Sequence, residues 1–248
     1  MIPTQPAIPP ETEISAPAPK ASSVPLVISA MNADYLSGDT IHADARYFGD
    51  GVATDDHRIA FFQKHARGKD VLDIGCVNHD PDNSRSTRWV HRGLQSVARS
   101  LVGIDLYEKG VKTLVARGFD VRLADAQAFD LGQTFDVIVA GDVIAHLEDM
   151  KGFMISAKAH LRPEGKLLVT TPNPWNWRLP ARAAFTRKTC GNPEQTMWIC
   201  PQTLTQLAAR HGMQVSELRY SSGPLIDRLL PAPAGWKHST IQAVLTVA

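Results

Sequence analysis

The sequence predicts an α/β protein whose strands and helices alternate along the chain to form a mostly parallel sheet. Two runs carry this prediction: residues 71–74 end at Gly75, and residues 102–104 end at Asp105 about one helix later. Both runs are mainly apolar, which is typical of strands covered on both faces. Gly75 permits a turn too tight for a side chain. Strands that alternate with helices in this way form a parallel sheet between two helical layers.

The predicted helices begin before the first strand and recur between the later ones. The first carries Phe61 and Phe62, and the second repeats Val90, Leu94 and Val97 at helical spacing. The last begins with a proline and is followed by a glycine, which is the common arrangement at helix ends. The predicted helical ranges are 57–66, 87–100, 110–117, 151–161 and 201–211.

The predicted strands number seven, and the last pair forms a hairpin-like edge with an antiparallel last strand. The fourth strand has a β-branched run at its centre, and the fifth follows a turn at residues 162–165. The predicted strand ranges are 71–74, 102–105, 121–124, 135–140, 166–171, 215–220 and 241–247. Residues 172–199 are too many for a plain connection, so we interpret them as a lid or substrate-binding insertion.

The N-terminal residues 1–26 differ in composition from the rest of the chain. Prolines occupy positions 3, 6, 9, 10, 17, 19 and 25. Because each proline lacks an N–H donor and fixes φ, the segment is predicted to be a disordered, proline-rich tail. Residues 27–248 are predicted to form one domain.

Composition excludes several classes of function. The net charge of +1 gives no global field that would attract nucleic acid. Three cysteines without a CxxC pair indicate neither a disulfide framework nor a zinc site. The sequence has no apolar run of membrane-spanning length and no signal-peptide pattern, so we expect a cytoplasmic protein.

The turn after the first strand indicates what kind of ligand the sheet binds. A carboxylate such as Asp105 at the end of the second strand suits the hydroxyls of a ribose. After Gly75, however, the residues are Cys-Val-Asn-His, without the further glycines that a pyrophosphate requires. The sequence therefore favours a nucleoside ligand without phosphates and disfavours a nicotinamide-dependent oxidoreductase.

Five motifs in order resemble the class I S-adenosylmethionine-dependent methyltransferases, from about Arg46 to the C-terminus. They lie at residues 71–76, 102–105, 123–126, 135–142 and 161–169. Residues 143–147 and 171–174 resemble the branch with ubiquinone-biosynthesis O-methyltransferases and the methyltransferases of bacterial glycan clusters. The resemblance implies a Rossmann-like, doubly wound sheet with S-adenosylmethionine as methyl donor.

The resemblance also implies the residues that bind the donor. Asp105 would accept hydrogen bonds from the ribose, Asp125 from the adenine amino group, and Asp73 would face the ammonium group. Each of these acids could instead cap a helix. The full set of implied donor contacts is Asp73, Gly75, Cys76, Asp105, Leu106, Asp125, Ala126 and Gly141.

A hydroxyl acceptor needs a base, and we expect His146 to provide it, with Asp142 four residues earlier on the same face. The alternative is a histidine that only packs in the following helix. His79 and His91 are candidates to line the acceptor site, and no metal is expected. The insertion places Trp175 and Arg178 in a stretch without acids from 173 to 192, which suits sugars, aromatic acceptors or phosphorylated substrates.

The sequence does not identify the molecule that accepts the methyl group. A saccharide hydroxyl is favoured, and a phenol or quinone precursor is the alternative within the enzyme class. The chain could also be a non-catalytic subunit that binds S-adenosylmethionine. A homodimer is left open, and no nucleic-acid partner is expected.

Overall fold

The computed structural model describes residues 56–77, 89–186, 192, 194–221 and 231–248. The predicted tail at 1–26 and His79 lie outside these ranges. No helix in the described ranges combines the length and apolar character needed to cross a bilayer.

The described residues form a seven-stranded sheet in the order β3-β2-β1-β4-β5-β7-β6. The strands from β1 to β5 pair in parallel, and β7 is antiparallel to both β5 and β6. The predicted α/β class, the strand number and the antiparallel last strand are confirmed. The strands are Asp70–Ile74 (β1), Ser100–Asp105 (β2), Val121–Leu123 (β3), Phe135–Gly141 (β4), Leu161–Pro172 (β5), Met213–Ser221 (β6) and Thr240–Val247 (β7).

The helices differ from prediction mainly in two places. The second helix ends at Gln95 rather than at residue 100, and Ser100 already belongs to β2, where it pairs with Asp70; residues 87 and 88 lie outside the described ranges. A helix also lies within the stretch predicted to be irregular, and Pro180 in its first turn is tolerated there. The helices are Asp56–Ala66 (α1), Val90–Gln95 (α2), Glu108–Ala116 (α3), Met150–Ala159 (α4), Arg178–Thr186 (α5), Pro201–Arg210 (α6) and Ala234–Lys237 (α7), with a 3₁₀ turn at Ile144–His146.

Apolar side chains alternate between the two faces of the sheet and build a core on each. Leu72 and Ile138 pack on one face with Phe153 of α4. Val71, one residue earlier, packs on the opposite face with Phe62 of α1. Because successive strand residues point to opposite faces, a strand covered on both sides must be almost wholly apolar.

The turn predicted at residues 162–165 is a bulge inside β5. Phe135 pairs with Leu161 and Val137 pairs with Lys166, so four residues of β5 loop out between two pairing positions. Glu164 has a φ of 63° within this bulge. The bulge carries Arg162 to the amino-terminal edge of the sheet.

Two carboxylates and two guanidinium groups form a cluster at that edge. Arg99 donates to both oxygens of Asp70 at 2.8 and 2.6 Å. Arg162 donates to Asp70 at 2.7 Å and to Asp136 at 2.9 Å. Hydrogen bonds from Arg99, Ser100 and Arg162 hold the pKa of Asp70 well below its usual range. The cluster therefore ties β1, β2, β4 and β5 together at one end.

Replacing Asp70 by Asn should lower the free energy of unfolding at pH 7 by about 1–2 kcal/mol, between the values for an exposed ion pair and for a buried hydrogen bond to a charged group. Since the folded pKa of Asp70 is depressed, its contribution is present above the unfolded value near 4 and lost as the pH falls below it. Denaturant unfolding at pH 7 and pH 3 should therefore show the difference shrinking in acid. Glu108→Gln, which breaks an exposed pair with Lys112, is the control. An equal loss in both variants at pH 7 would contradict the assignment.

Candidate active site

A cavity of about 540 Å³ opens at the carboxyl edge of the parallel strands. It lies where the chain turns to opposite sides after β1 and β4, the place where open α/β sheets bind ligands. Its wall includes strand-end residues on one side and the stretch after β5 on the other. The strand-end lining includes Gly75, Asp105, Leu106, Asp125, Ala126, Gly141 and Asp142.

Asp105 is fixed by two backbone N–H groups. Val77 donates to its Oδ2 at 2.9 Å, and Tyr107 donates to its Oδ1 at 2.9 Å. Burial raises the pKa of this carboxyl group, while the two N–H donors oppose the rise. A carboxylate oxygen accepts more than one hydrogen bond, so both oxygens keep capacity for a ligand in the cavity.

The backbone N–H groups of the turn after β1 form hydrogen bonds to other residues of the protein. Gly75 and Cys76 donate to the carbonyl of Ile104 at 2.9 and 3.2 Å, and Val77 donates to Asp105. The resemblance implies that Gly75 and Cys76 of this turn contact the methyl donor. The structure instead uses these three donors to join the turns after β1 and β2.

Asp73 lies beneath this turn and faces away from the cavity. Its carboxylate contacts His91 Nδ1 at 3.0 Å, and both side chains are almost fully buried. His91 also packs against Trp89 and Phe119, with ring centroids 5.2 and 5.9 Å apart. Neither Asp73 nor His91 is among the described residues that line the cavity. Asp73 was predicted to contact the methyl donor and His91 to line the site of the methyl acceptor. The structure instead places both in the interior, where they bond to each other.

Cys76 is likewise an interior residue. Its thiol lies close to Gly103, where a Cβ atom would come within 2.7 Å of the sulfur. Burial, with the nearby carboxylates of Asp73 and Asp105, raises the pKa of the thiol well above its usual value. Trp89 donates its indole N–H to the Cys76 carbonyl at 2.7 Å, so the turn is also held from α2.

Asp142 is held in a left-handed conformation at the end of β4. Its φ is 59°, and its N–H donates to the carbonyl of Thr170 at 3.1 Å and the hydroxyl at 3.0 Å. The Thr170 hydroxyl donates in turn to Asp142 Oδ1 at 2.9 Å. Arg58 of α1 forms an ion pair with Oδ2. Asp142 and Arg58 both line the cavity, so they present two opposite charges to it.

His146 lies in the 3₁₀ turn after β4 and also lines the cavity. Its Nδ1 is 3.1 Å from the backbone carbonyl oxygen of Glu194. A carbonyl can only accept, so Nδ1 carries the proton and Nε2 carries the lone pair. Burial lowers the pKa of His146, against smaller opposing effects of Glu194 and Asp142. Burial therefore favours the neutral ring, in which Nε2 carries the lone pair.

The stretch after β5 forms the second wall of the cavity. The lining residues from this stretch are Asn173, Asn176, Leu179, Arg182, Asn192, Gln195 and Trp198. Of the two residues predicted here, Trp175 is exposed and Arg178 lies over the Trp177 ring at 5.2 Å. Neither is among the described lining residues, so the predicted insertion reaches the cavity through other side chains.

Comparison with known proteins gives the family. A family model described as a methyltransferase domain matches residues 46–218. The chain belongs to the class I S-adenosylmethionine-dependent methyltransferases. This membership confirms the predicted family and the predicted methyl donor.

Individual relatives agree with this assignment. A Mycolicibacterium smegmatis protein named "probable S-adenosylmethionine-dependent methyltransferase" is 31% identical over 60% of this chain and 54% of its own length. The human mitochondrial ubiquinone biosynthesis O-methyltransferase is 22% identical over 60% of this chain and 42% of its own length. The chain thus matches only about half the length of these relatives. Magnesium protoporphyrin IX methyltransferase from Synechocystis has the same fold, with a TM-score of 0.59 at 14% identity over 89% of this chain and all of that one.

The methyltransferase brings together most of the predicted strand-end residues, and it adds others that sequence patterns did not mark. Gly75, Asp105, Leu106, Asp125, Ala126, Gly141, Asp142 and His146 meet at the cavity. Arg58 was not predicted, because its partner Asp142 is 84 residues away in sequence. No group of three or more His, Cys, Asp or Glu side chains arranged to hold a metal occurs among the described residues.

Gly75→Ala should weaken donor binding as well as stability in this methyltransferase. Gly75 has a φ of 77°, and a Cβ atom there would lie 2.6 Å from Val143 Cγ2, a side chain of the cavity wall. Gly118→Ala is the matched control, since its φ is 87° and no atom lies within 4 Å of the added Cβ. Both variants should lose about 1–2 kcal/mol of stability from the left-handed conformation. Only Gly75→Ala should bind S-adenosylmethionine more weakly by calorimetry, and equal affinities would contradict this account.

Proposed function

We propose that this methyltransferase transfers a methyl group from S-adenosylmethionine to a hydroxyl of a small-molecule acceptor. The observation that carries the proposal is the position of His146 at the cavity wall, with Nδ1 held by the Glu194 carbonyl and with burial lowering the pKa of the ring. A group with a free lone pair and a pKa below neutral is suited to remove a hydroxyl proton at physiological pH.

The adenosine part of the donor binds on the side of β2 and β3. Asp105 accepts hydrogen bonds from the ribose hydroxyls, for which its two oxygens are already oriented by Val77 and Tyr107. Leu106 is half exposed at the cavity and covers the adenine face, and Asp125 with Ala126 contacts its polar edge. Asp125 also accepts the N–H of Gln127 at 2.8 Å, so its carboxylate is held in place.

The methionine part binds at the Arg58–Asp142 pair. An α-amino acid carries one carboxylate and one ammonium group, and this pair offers one cation and one anion on the same wall. Arg58 binds the carboxylate and Asp142 the ammonium. Asp73 is buried and already bonded to His91, and it is not among the described lining residues, so the ammonium is assigned to Asp142 instead.

The donor supplies an electrophilic methyl group on a cationic sulfur. His146 Nε2 takes the acceptor proton while the acceptor oxygen forms its bond to the methyl carbon. The carbon–sulfur bond breaks and its electron pair neutralises the sulfur, so an O-methyl product, a thioether and an imidazolium result. The cavity contributes mainly by aligning the acceptor with the methyl group.

The charges of the second wall favour a hydroxyl over an amine. Among the described lining residues from 172 onward there is no carboxylate, and Arg182 is cationic. A protonated amine would gain no partner there, whereas a neutral hydroxyl needs only a base. The relatives named ubiquinone biosynthesis O-methyltransferases support a phenolic acceptor. Trp198 at the wall supports a saccharide as the second candidate, because sugars stack on aromatic rings.

A panel of acceptors tests the proposal directly. The full chain is incubated with methyl-labelled S-adenosylmethionine and with phenols, saccharides and primary amines, and products are located by mass spectrometry. O-methylated products from one of the first two groups are expected. Labelled methyl groups found only on nitrogen would overturn the proposed reaction.

His146→Gln should lower kcat by a factor of about 10² or more, as expected for loss of a general base. Donor affinity should change little, because His146 lies outside the proposed donor contacts. The wild-type rate should fall in acid with an apparent pKa below 6.5, since burial lowers the pKa of the ring and its protonated form cannot act as a base. A variant with more than half of wild-type activity would remove His146 from the mechanism.

Asp105→Asn should weaken S-adenosylmethionine binding by about 1.5–3 kcal/mol, the range for a hydrogen bond to a charged group. Isothermal calorimetry measures the affinity. Asp130→Asn is the control, because this carboxylate is 91% exposed and lies outside the cavity lining. Unchanged affinity in a folded Asp105→Asn protein would exclude the ribose contact.

A further inference from the structure

The segment 194–198 crosses directly over the 3₁₀ turn that carries His146. Thr196 donates its backbone N–H to the Ala145 carbonyl at 3.0 Å, and Met197 N–H is 3.3 Å from the same oxygen. The Thr196 hydroxyl donates to the Leu147 carbonyl at 2.8 Å and is also 3.2 Å from Ala145. Thr196 thus contacts the backbone on both sides of His146.

The same segment supplies the carbonyl that fixes the imidazole. Glu194, two residues before Thr196, accepts the Nδ1–H of His146 at 3.1 Å. The position of the Glu194 carbonyl relative to the ring therefore depends on how firmly the segment is attached to the turn. Both backbone N–H groups reach only Ala145, whereas the hydroxyl reaches Leu147 on the other side. Without the hydroxyl, the bonds of Thr196 to the turn would be confined to Ala145, and the Glu194 contact would lose its support on the Leu147 side.

We infer that Thr196 is a positioning residue for His146, and that its hydroxyl keeps the segment 194–198 in the place where Glu194 holds the reactive tautomer. This inference rests on the proposed function of His146 as the base. Thr196 acts through the Glu194 carbonyl and does not touch the reacting atoms. The role of Thr196 is to keep the lone pair of His146 on Nε2. A ring that carries its proton on Nε2 cannot accept a proton there from the hydroxyl of the methyl acceptor.

The arrangement makes the base depend on both walls of the cavity. His146 follows β4, and the carbonyl that sets its tautomer comes from the stretch after β5. Trp198, four residues after Glu194 in the same segment, lines the cavity. The segment 194–198 therefore both lines the cavity, through Trp198, and orients the proposed base, through the Glu194 carbonyl.

The test compares Thr196→Val with Thr196→Ser in the full chain. Valine keeps the shape and both backbone N–H bonds but removes the hydroxyl, and serine restores the hydroxyl. The kcat of Thr196→Val should fall about three- to tenfold, the effect of one lost hydrogen bond, with the donor KM unchanged. Thr196→Ser should recover most of that loss. Thr205→Val, which removes an exposed hydroxyl bonded to Pro201 in α6, is the matched control and should leave kcat unchanged.

A second readout separates positioning from a general loss of structure. Nitrogen-15 spectra of the His146 ring should show the proton on Nδ1 in the wild type and a shift toward the Nε2–H tautomer in Thr196→Val. Thr196 is exposed, so the variant should fold, and Thr196→Ala provides a second hydroxyl-free protein for the same spectra. Wild-type kcat and an unchanged tautomer in Thr196→Val would overturn the inference. If His146→Gln were also active, the proposed base would fail as well, whereas an inactive His146→Gln would leave it standing.

Discussion

The bonds of Asp105 to two backbone N–H groups are the interaction on which the site depends. They join the turn after β1 to the loop after β2, since Val77 belongs to the first and Tyr107 to the second. A partly buried carboxylate is costly without such donors, and here one of the two donors, Tyr107, lines the cavity. The bonds also explain why Cys76 and Val77 can stand at positions where a pyrophosphate-binding turn would need glycine. Its N–H groups are bound by protein, so no phosphate has to approach them.

Much of the fold could be predicted because the sheet imposes a simple pattern on the chain. A strand between two helical layers must be apolar on both faces, and the runs ending at Gly75 and Asp105 satisfy that requirement. The prediction differed from the structure at two local features that the hydrophobic pattern does not determine. The bulge in β5 is a turn inside a strand, and from it Arg162 reaches Asp70 and Asp136 at the sheet edge. The helix α5 lies in a stretch that was interpreted as an insertion from its length alone, and its first turn accepts Pro180.

The site divides into a part that was predictable and a part that was not. Residues at the carboxyl ends of parallel strands converge on one edge, so Asp105, Asp125 and His146 could be placed from topology. The residues that hold these side chains in place could not be predicted, because they come from distant parts of the sequence. Arg58 meets Asp142 across 84 residues, and Thr196 meets Leu147 across 49. The pairing of Asp73 with His91 is of the same kind, since two polar residues in a strand and a helix give no sign that they share one buried bond.

The two walls of the cavity have different physical requirements. The strand-end wall is fixed by the sheet, so the proposed donor contacts are already oriented in the folded chain. The wall after β5 is held by loop contacts instead: the Asn173 and Asn176 side chains donate hydrogen bonds to backbone carbonyls in residues 235–238, and Thr196 bonds to the turn after β4. Under the proposed function, acceptor specificity could therefore change in that wall without disturbing the proposed donor contacts. The limit on such change is the contact between His146 and Glu194, because a rearrangement of the second wall that moves this carbonyl would also disturb the proton on Nδ1 of the proposed base.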